Sequence, residues 1–327
     1  MLKFILRRLL NYLVLTAVAT VMAYFLASVA LNPRARYENR NPPFPETTID
    51  KILNDLNTNP KTPIPQRFTT WVKGVAHGDF GKTFAGEPIS DEMGRRIGVS
   101  LRLLLIGSIL GATLGVAVGV WGAVRQHRLS DRVATVGSFV ILSTPVFLLA
   151  VLVKLGAIQI NESLGRTLLY TTGELTPGLA GGWFGNIADR VGHLVLPTLT
   201  LTLGGIAFYS RYQRSTMLDV MGADYLRTAQ AKGLRRPKAL IKHGLRTALI
   251  PMATFFAYAF GLLIVGAAFT EKIFGWHGMG EWLIDSISNQ DINAVVAVTA
   301  FTAVMILIAG MLSDVLTAAL DPRVRIR

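Results

Sequence analysis

Residues 103–124 read LLLIGSILGATLGVAVGVWGAV and contain no Asp, Glu, Lys or Arg. Because an α-helix needs roughly 20 consecutive apolar residues to cross the hydrocarbon core of a bilayer, this run predicts a membrane-spanning helix. Four of its five glycines recur every four residues, so they lie along one face, where the backbone of a second helix can approach closely. The same face could instead border a substrate pathway. The four glycines are Gly107, Gly111, Gly115 and Gly119.

Uncharged runs of similar length lie on both sides of this segment and predict five further spans. The expected fold is therefore an all-α membrane protein with six transmembrane helices, formed by one membrane domain over residues 1–327. Pro145, Pro197 and Pro251 lie in or at the ends of three spans, where they can kink a helix. A shorter, glycine-interrupted stretch, 175–188, is expected to be an interfacial loop. The six spans lie at about 9–31, 101–124, 133–156, 192–210, 249–270 and 294–318.

The composition agrees with a membrane protein and excludes several kinds of site. Of the 327 residues, 51% are hydrophobic and only 16% are charged, whereas soluble domains have about 25% charged residues. The chain has no cysteine, which excludes disulfide bonds, thiolate metal ligands and cysteine nucleophiles.

The distribution of charge predicts the orientation of the chain. Basic residues are concentrated in segments 1–8, 125–132, 211–246 and 321–327, whereas the alternate loops carry little net charge or are acidic. Since cytoplasmic loops accumulate Lys and Arg, both termini are expected in the cytoplasm. The net charge of +13 then reflects membrane topology, and no nucleic-acid partner is expected. The first apolar run is longer than the 7–15 residues typical of a cleaved signal peptide, so we expect a retained anchor.

Few ionisable residues lie near the predicted spans. Arg102, Lys154, His193 and Asp314 all fall near span ends, where snorkelling to the membrane surface accounts for them. Ion-coupled and proton-coupled transporters usually place charges at mid-membrane. The sequence therefore favours a transporter whose energy does not come from coupling to an ion or proton within this chain.

The long extracytoplasmic loop, about 33–98, is expected to form a small cap on the membrane surface. Residues 48–57 have apolar side chains at helical spacing, and a helix containing Trp71 is expected before Gly78. Residues 32–45 are rich in Pro and Asn and should lack regular structure.

One tripeptide of this loop, Gly81-Lys82-Thr83, resembles the end of a phosphate-binding loop. That motif has a glycine where this chain has Ala76, so the tripeptide lacks the residue that lets the backbone cradle a phosphate. A tight turn at the membrane surface is the better prediction.

The longest cytoplasmic loop, about 211–248, carries nine basic residues against Asp219 and Asp224. Its pattern predicts a helix over 223–233 that ends at Gly233, since glycine readily adopts the left-handed backbone that closes a helix. Pro237 should start a second helix, which leads into the fifth span.

The predicted helix over 223–233 has the side chains of a docking element. Ala223, Ala229 and Ala231 are small enough for close approach, and Tyr225 and Leu226 could anchor it. From the residues alone, a basic helix resting on anionic lipid is an equal alternative.

Two segments here resemble a known motif. Residues 224–234 read DYLRTAQAKGL and residues 243–251 read HGLRTALIP. Together they are similar to the coupling motif of the integral-membrane permease subunits of bacterial ABC importers for dipeptides and oligopeptides. The general importer motif has Glu-Ala-Ala and then a glycine four residues after the second alanine. Here Arg227, Thr228, Ala229 and Gly233 stand at those positions, the form typical of the peptide branch.

The resemblance covers nearly the whole chain, with two departures. His277-Gly278-Met279-Gly280 stands where the family often has Pro-Gly before Leu-Gly, and residues 289–293 replace an Arg-Asp-x-Pro pattern. Both departures lie in extracytoplasmic loops, near the place where a binding protein would dock. The matching segments are Phe4–Leu9, Trp71, Gly78–Gly81, Leu196–Leu199, Arg214–Leu218, Glu271–Phe274, Gly278–Gly280 and Asp321–Arg323.

The resemblance implies a type I ABC importer permease in the bacterial plasma (inner) membrane that works by ATP-driven alternating access. The chain would be non-catalytic and hold no cofactor, because ATP and Mg would be bound by partner subunits. The implied partners are a second homologous permease subunit, two ABC ATPase domains and an extracytoplasmic peptide-binding protein, besides the lipid bilayer. The residues implied to couple to an ATPase are Asp224, Tyr225, Leu226, Arg227, Thr228, Ala229, Lys232 and Gly233.

Three alternatives remain open at this point. Related importers of the same architecture carry nickel, glutathione or oligosaccharides. A secondary transporter should show an internal repeat or charges at mid-membrane, and the sequence shows neither. A membrane-embedded enzyme would need a cluster of His, Asp and Glu at one membrane depth, which the sequence does not contain.

Overall fold

The computed structural model describes residues 2–38, 44–178 and 182–320. These residues form helices joined by short loops, and within them the only extended pairing is an isolated bridge between Lys82 and Pro88. The expected all-α class is confirmed. The helices are α1 (Leu2–Ala30), α2 (Ala35–Glu38), α3 (Glu46–Asp55), α4 (Ile64–Ala76), α5 (Ile89–Val124), α6 (Leu129–Ser143), α7 (Val146–Leu164), α8 (Gly182–Met221), α9 (Asp224–Ala231), α10 (Arg236–Ala239), α11 (Arg246–Phe274), α12 (Met279–Ser288) and α13 (Ile292–Leu320), with a π-helical turn at Leu240–Leu245.

Five of the described helices are long and apolar enough to cross a membrane, namely α1, α5, α7, α8 and α13. The longest, α8, has 40 residues. At 1.5 Å per residue it is about 60 Å long, roughly twice the thickness of the hydrocarbon core. Its ends therefore extend into the headgroup layers or beyond. The 29-residue helix α11 covers the span predicted at 249–270.

The third predicted span, 133–156, is divided into two helices at Pro145, where the sequence predicted that a kink was possible. The chain leaves α6 at Thr144 and starts α7 at Val146. Pro145 causes the break, because it has no N–H and its ring holds the preceding residue in extended backbone (φ −89°, ψ 122° at Thr144). The hydroxyls of Ser143 and Thr144 close the end of α6 by donating to the Val140 carbonyl, at 3.0 and 2.8 Å.

Two segments contain more helix than the sequence predicts. Residues 182–188, expected in an interfacial loop, belong to α8. Trp183 and Ile187 continue the helical spacing of the apolar residues that follow. Residues 35–38 form α2 within a segment expected to be irregular, because Tyr37 packs into a small core with helix α3.

The described residues fall into two compact units, of which the first comprises Arg102–Trp276 and the chain from Ile308. Helix α8 lies at its centre and packs on α6, α7 and α11. Part of its core is formed by Leu103 and Leu104 of α5 with Leu201 of α8 and Ala267 of α11, which are at most 3% exposed.

The second unit comprises Leu2–Leu101 and His277–Leu307 and contains the predicted cap. The helices predicted over 48–57 and around Trp71 are confirmed as α3 and α4. The rings of Tyr24 in α1 and Trp71 lie 5.2 Å apart, and side chains of α13 complete this core. The tight turn predicted at Gly81-Lys82-Thr83 lies slightly later, where the Gly86 N–H donates to the Thr83 carbonyl at 2.9 Å, and Lys82 itself pairs with Pro88 in the isolated bridge.

Segment 289–293, one of the two departures from the family pattern, holds the cap loops together. Asp291 accepts hydrogen bonds from two backbone N–H groups, at 2.8 and 3.1 Å, and Asn293 donates through Nδ2 to two carbonyls, each at 3.0 Å. Burial raises the pKa of the Asp291 carboxyl, since its charged form is poorly solvated there. The partners are the N–H groups of Phe84 and Ala294 and the carbonyls of Leu56 and Lys82.

Candidate coupling surface

The segment predicted as a docking helix follows directly on α8. After Met221 the chain turns at Gly222, and Ala223 precedes α9. The Ala223 carbonyl accepts a hydrogen bond from the Leu226 N–H at 3.1 Å, which closes the first turn. The helix thus lies inside the predicted range 223–233.

Gly233 ends this helix as predicted, in a Schellman motif. Its φ is +90°, its N–H donates to the Gln230 carbonyl at 2.9 Å, and the N–H of Leu234 donates to the Ala229 carbonyl at 3.2 Å. Both bonds require left-handed backbone at position 233, which glycine adopts without strain. The chain then reverses, and Pro237 lies in the first turn of α10, also as predicted.

One face of α9 packs on its own chain. Leu226 is only 1% exposed, and the half-buried Ala229 packs against the same cluster. Two of the residues that the resemblance assigns to ATPase coupling therefore fix the position of the helix. The buried members of this cluster are Ala123, Met217, Val220, Leu226, Ala239, Leu240 and Ala248.

The opposite face of α9 is exposed. Tyr225 is 42% exposed although it is aromatic. Arg227 Nη1 lies 3.6 Å from Asp224 Oδ1, and because both side chains are largely solvated this pair adds little stability. An exposed aromatic ring beside an arginine is typical of a protein-binding surface. The exposed residues of the assigned set are Asp224, Tyr225, Arg227, Thr228, Lys232 and Gly233.

The π-helical turn joins α10 to α11 beside α9. Gly244 lies inside this turn, and a Cβ there would be 3.2 Å from Val220 Cγ1, so the residue allows close approach to α8. The Thr216 hydroxyl of α8 donates to the Ala248 carbonyl of α11 at 3.3 Å. This hydrogen bond joins the C-terminal end of α8 to the N-terminal end of α11, next to α9. Sequence reasoning did not predict the π-helical geometry, which is common at functional sites.

Sequence reasoning also missed the ion pair that holds this end of α8. Asp131 in the first turn of α6 is 3% exposed and accepts two hydrogen bonds from Arg214, at 2.6 Å from Nε and 2.8 Å from Nη2. The His127 N–H donates to the same carboxylate at 3.2 Å. The hydrogen bonds from Arg214 hold the pKa of the Asp131 carboxyl below its usual value. The available signal is that Asp131 is the only acidic residue of the basic segment 125–132.

The glycine stripe of α5 packs on α8. A Cβ at Gly115 would lie 2.6 Å from Tyr209 Cβ, and one at Gly119 would lie 2.6 Å from the Ser210 carbonyl oxygen. Distances this short leave no room for a side chain, which favours helix packing over a pathway-lining role. The corresponding neighbours of Gly107 and Gly111 are Leu201 at 3.1 Å and Gly205 at 3.0 Å.

Two of the ionisable residues near span ends have partners inside the protein instead of snorkelling as predicted. His193 is 5% exposed, with Nδ1 at 3.0 Å from the Gly173 carbonyl oxygen and its ring stacked on Tyr170. Lys154 donates to the Ile273 carbonyl at 2.6 Å. Within the described residues, no group of three or more His, Asp or Glu side chains could hold a metal ion.

Comparison with known proteins extends these observations. The family model for "Binding-protein-dependent transport system inner membrane component" matches residues 111–326. The chain is 54% identical over 326 residues to the oligopeptide transport system permease protein OppB of Mycobacterium tuberculosis (strain ATCC 25618 / H37Rv), with 100% of both chains covered. It is 32% identical to the oligopeptide transport system permease protein AppB of Bacillus subtilis (strain 168), with 99% of each covered. It is 33% identical to the dipeptide transport system permease protein DppB of Escherichia coli (strain K12), with 80% of this chain and 81% of that protein covered.

Proposed function

The chain belongs to the family of binding-protein-dependent transport system inner membrane components, and from this premise we propose that it is the membrane-spanning subunit of an ATP-driven importer of oligopeptides or dipeptides. The observation that carries the proposal is the 54% identity, over the whole chain, to an oligopeptide transport system permease protein. Family membership makes the chain an inner-membrane protein, and its long apolar helices fit that location.

The proposed topology has six spans with both termini in the cytoplasm. Helices α6 and α7 together make the third crossing, and α11 makes the fifth. The concentration of basic residues in alternate loops supports this arrangement. In this topology α9 lies in the cytoplasm and the cap lies outside.

The exposed face of α9 is the proposed contact with a cytoplasmic ATPase. Leu226 and Ala229 fix α9 on the end of α8, and the bond between Asp131 and Arg214 fixes α8 to α6. Movement of α9 would therefore be passed to the spanning helices. ATP and Mg would bind to the ATPase subunits, and two permease subunits would open alternately to the two sides of the membrane.

Peptide uptake by cells tests the proposed function. Cells that lack this gene should lose uptake of labelled short peptides, and a plasmid copy of the gene should restore it. Unchanged peptide uptake, combined with a defect for nickel, glutathione or an oligosaccharide, would assign the chain to a sister substrate class.

Co-purification tests the proposed coupling surface. Tyr225→Asp places a charge on the exposed face of α9 and should abolish both recovery of the ATPase subunits and uptake. Gln126→Asp is the matched control, since Gln126 is also exposed but lies in another loop. Ala229→Asp is a poorer test because Ala229 packs on its own chain. Wild-type recovery and uptake with Tyr225→Asp would show that the assignment is wrong.

A further inference from the structure

The break between α6 and α7 leaves backbone groups unpaired. Among the described residues, no protein group pairs with the carbonyls of Leu142 and Thr144 or with the N–H of Val146. Leu142 and Val146 are each 39% exposed, so the chain itself covers neither residue completely. Hydrocarbon offers no hydrogen bonds, and irregular backbone at membrane depth must therefore face water or protein.

The break lies well inside the proposed third span. At 1.5 Å per residue, α6 rises about 21 Å from Leu129 to Ser143, and α7 rises about 27 Å from Val146 to Leu164. Thr144 and Pro145 stand at the middle of the proposed third span, 133–156, so the proposed topology places the unpaired groups away from both membrane surfaces. In transporters, broken helices at this depth commonly supply backbone groups to the substrate site.

A cavity of about 180 Å³ opens at this break. The three residues with unpaired backbone groups, Leu142, Thr144 and Val146, line one side of it. Gly204 and Tyr209 of α8 line another side. A Cβ at Gly204 would meet no atom within 4 Å, so the space in front of this residue is open.

Tyr209 adds an independent indication of a ligand. It is 5% exposed and lines the cavity, and no hydrogen-bond partner of its hydroxyl is found in the described part of the chain. Among the described residues its hydroxyl is not one of the fully buried polar atoms that lack a partner, so it reaches accessible space and can donate to a molecule in the cavity.

We propose that this cavity binds the backbone of an extended peptide during translocation, through the free carbonyls of Leu142 and Thr144, the free N–H of Val146 and the Tyr209 hydroxyl. The inference rests on the proposed function, that the chain carries peptides. Every peptide has the amide groups that these partners recognise. The other walls of the cavity include apolar side chains such as Phe260, which accept varied substrate side chains without fixed polar contacts. The site therefore selects for peptide backbone and tolerates differences in sequence.

Filling the cavity tests the proposal in the full complex, reconstituted with its permease partner, ATPases and binding protein. Gly204→Phe should lower uptake of labelled tetra-alanine at least tenfold, with the ATPases still bound. Gly137→Phe is the matched control, since a Cβ at Gly137 also meets nothing within 4 Å and Gly137 does not line the cavity. Its uptake should stay within twofold of wild type. Wild-type uptake by Gly204→Phe overturns the cavity assignment.

Thiol labelling tests peptide binding in the cavity if the Gly204→Phe complex does not assemble or if the control also loses uptake. Because the chain has no cysteine, Thr144→Cys supplies its only thiol. A membrane-impermeant maleimide should label this thiol in the purified complex, and saturating tetra-alanine should slow labelling at least fivefold. Backbone N-methylated tetra-alanine should not slow it. Failure to label, or labelling that tetra-alanine does not slow, overturns the proposal. A wild-type complex that moves no peptide refutes the proposed function instead.

Discussion

At the scale of single residues, the ion pair between Asp131 and Arg214 yields the first prediction. Asp131→Asn leaves the partly buried Arg214 without its carboxylate, which should lower the free energy of unfolding by roughly 2–3 kcal/mol. Thermal unfolding of the purified chain in detergent measures the loss. Asp219→Asn is the control, because Asp219 is exposed on the same helix and should change stability by less than about 0.5 kcal/mol. Equal losses in both variants would contradict the prediction.

A second residue-scale prediction concerns the pH dependence of the cap. Lys61 and Arg34 donate to the Asp50 carboxylate at 2.6 and 2.7 Å and hold the pKa of this carboxyl below its usual value. A lowered pKa in the folded state gives stability that is present above the ordinary value of about 3.9 and is lost as pH falls through the lowered value.

Hydrogen exchange in α3 measures this effect once the rates are corrected for intrinsic exchange. Protection should be constant from neutral pH to about pH 5 and should fall below about pH 4. Asp50→Asn should have lower protection at neutral pH and a weaker dependence on acid. An acid dependence as strong in Asp50→Asn as in the wild type would assign the effect to other carboxylates.

At the scale of helices, the glycine stripe of α5 predicts opposite effects for two similar substitutions. Gly119→Ala places a Cβ 2.6 Å from the Ser210 carbonyl oxygen, so the helices must separate, at a cost of about 1–3 kcal/mol. Gly137→Ala on α6 meets nothing within 4 Å and should stabilise the chain by up to about 1 kcal/mol, because alanine favours helix. Denaturation of the two purified variants measures the difference. Stabilisation by Gly119→Ala would mean that the two helices are not in tight contact.

The helices themselves could be predicted where their signals are local. Gly233 closes α9 and Pro237 lies in the first turn of α10, because the backbone preferences of these residues decide the outcome without help from distant parts of the chain. The sequence also showed Pro145, but whether a proline kinks a helix or breaks it depends on the neighbouring hydroxyls and on the cavity beside it. The π-helical turn was missed for the same reason, since it follows from packing against α8.

At the scale of the whole molecule, topology is the remaining prediction. Reporter fusions after Lys61 and after Lys238 should report opposite sides, outside for Lys61 and inside for Lys238, because basic residues mark alternate loops as cytoplasmic. Reporters sensitive to compartment, placed at both sites in living cells, make the measurement. The same side for both positions would overturn the six-span arrangement.

Contacts between distant parts of the sequence could not be predicted from one chain. Asp131 and Arg214 are 83 residues apart, and Asn293 lies 237 residues from Leu56, whose carbonyl it binds. Asp131 stands out as the only acidic residue of segment 125–132, but no local pattern in the sequence identifies the partner of either residue. The motif on α9 shows the effect of such contacts. Leu226 packs into the buried cluster, whereas Tyr225, its neighbour in sequence, is exposed on the opposite side of the helix.

In the π-helical turn at Leu240–Leu245, the number of residues sets the orientation of α10 relative to α11 more than the side chains do. Successive residues of an α-helix are rotated by about 100°, so deletion of a single codon within the turn would rotate α10 by about that angle relative to α11. Exposed side chains in the turn, such as Ile241, can vary without this effect. Members of this family should therefore tolerate amino-acid substitutions in this turn far better than insertions or deletions of residues.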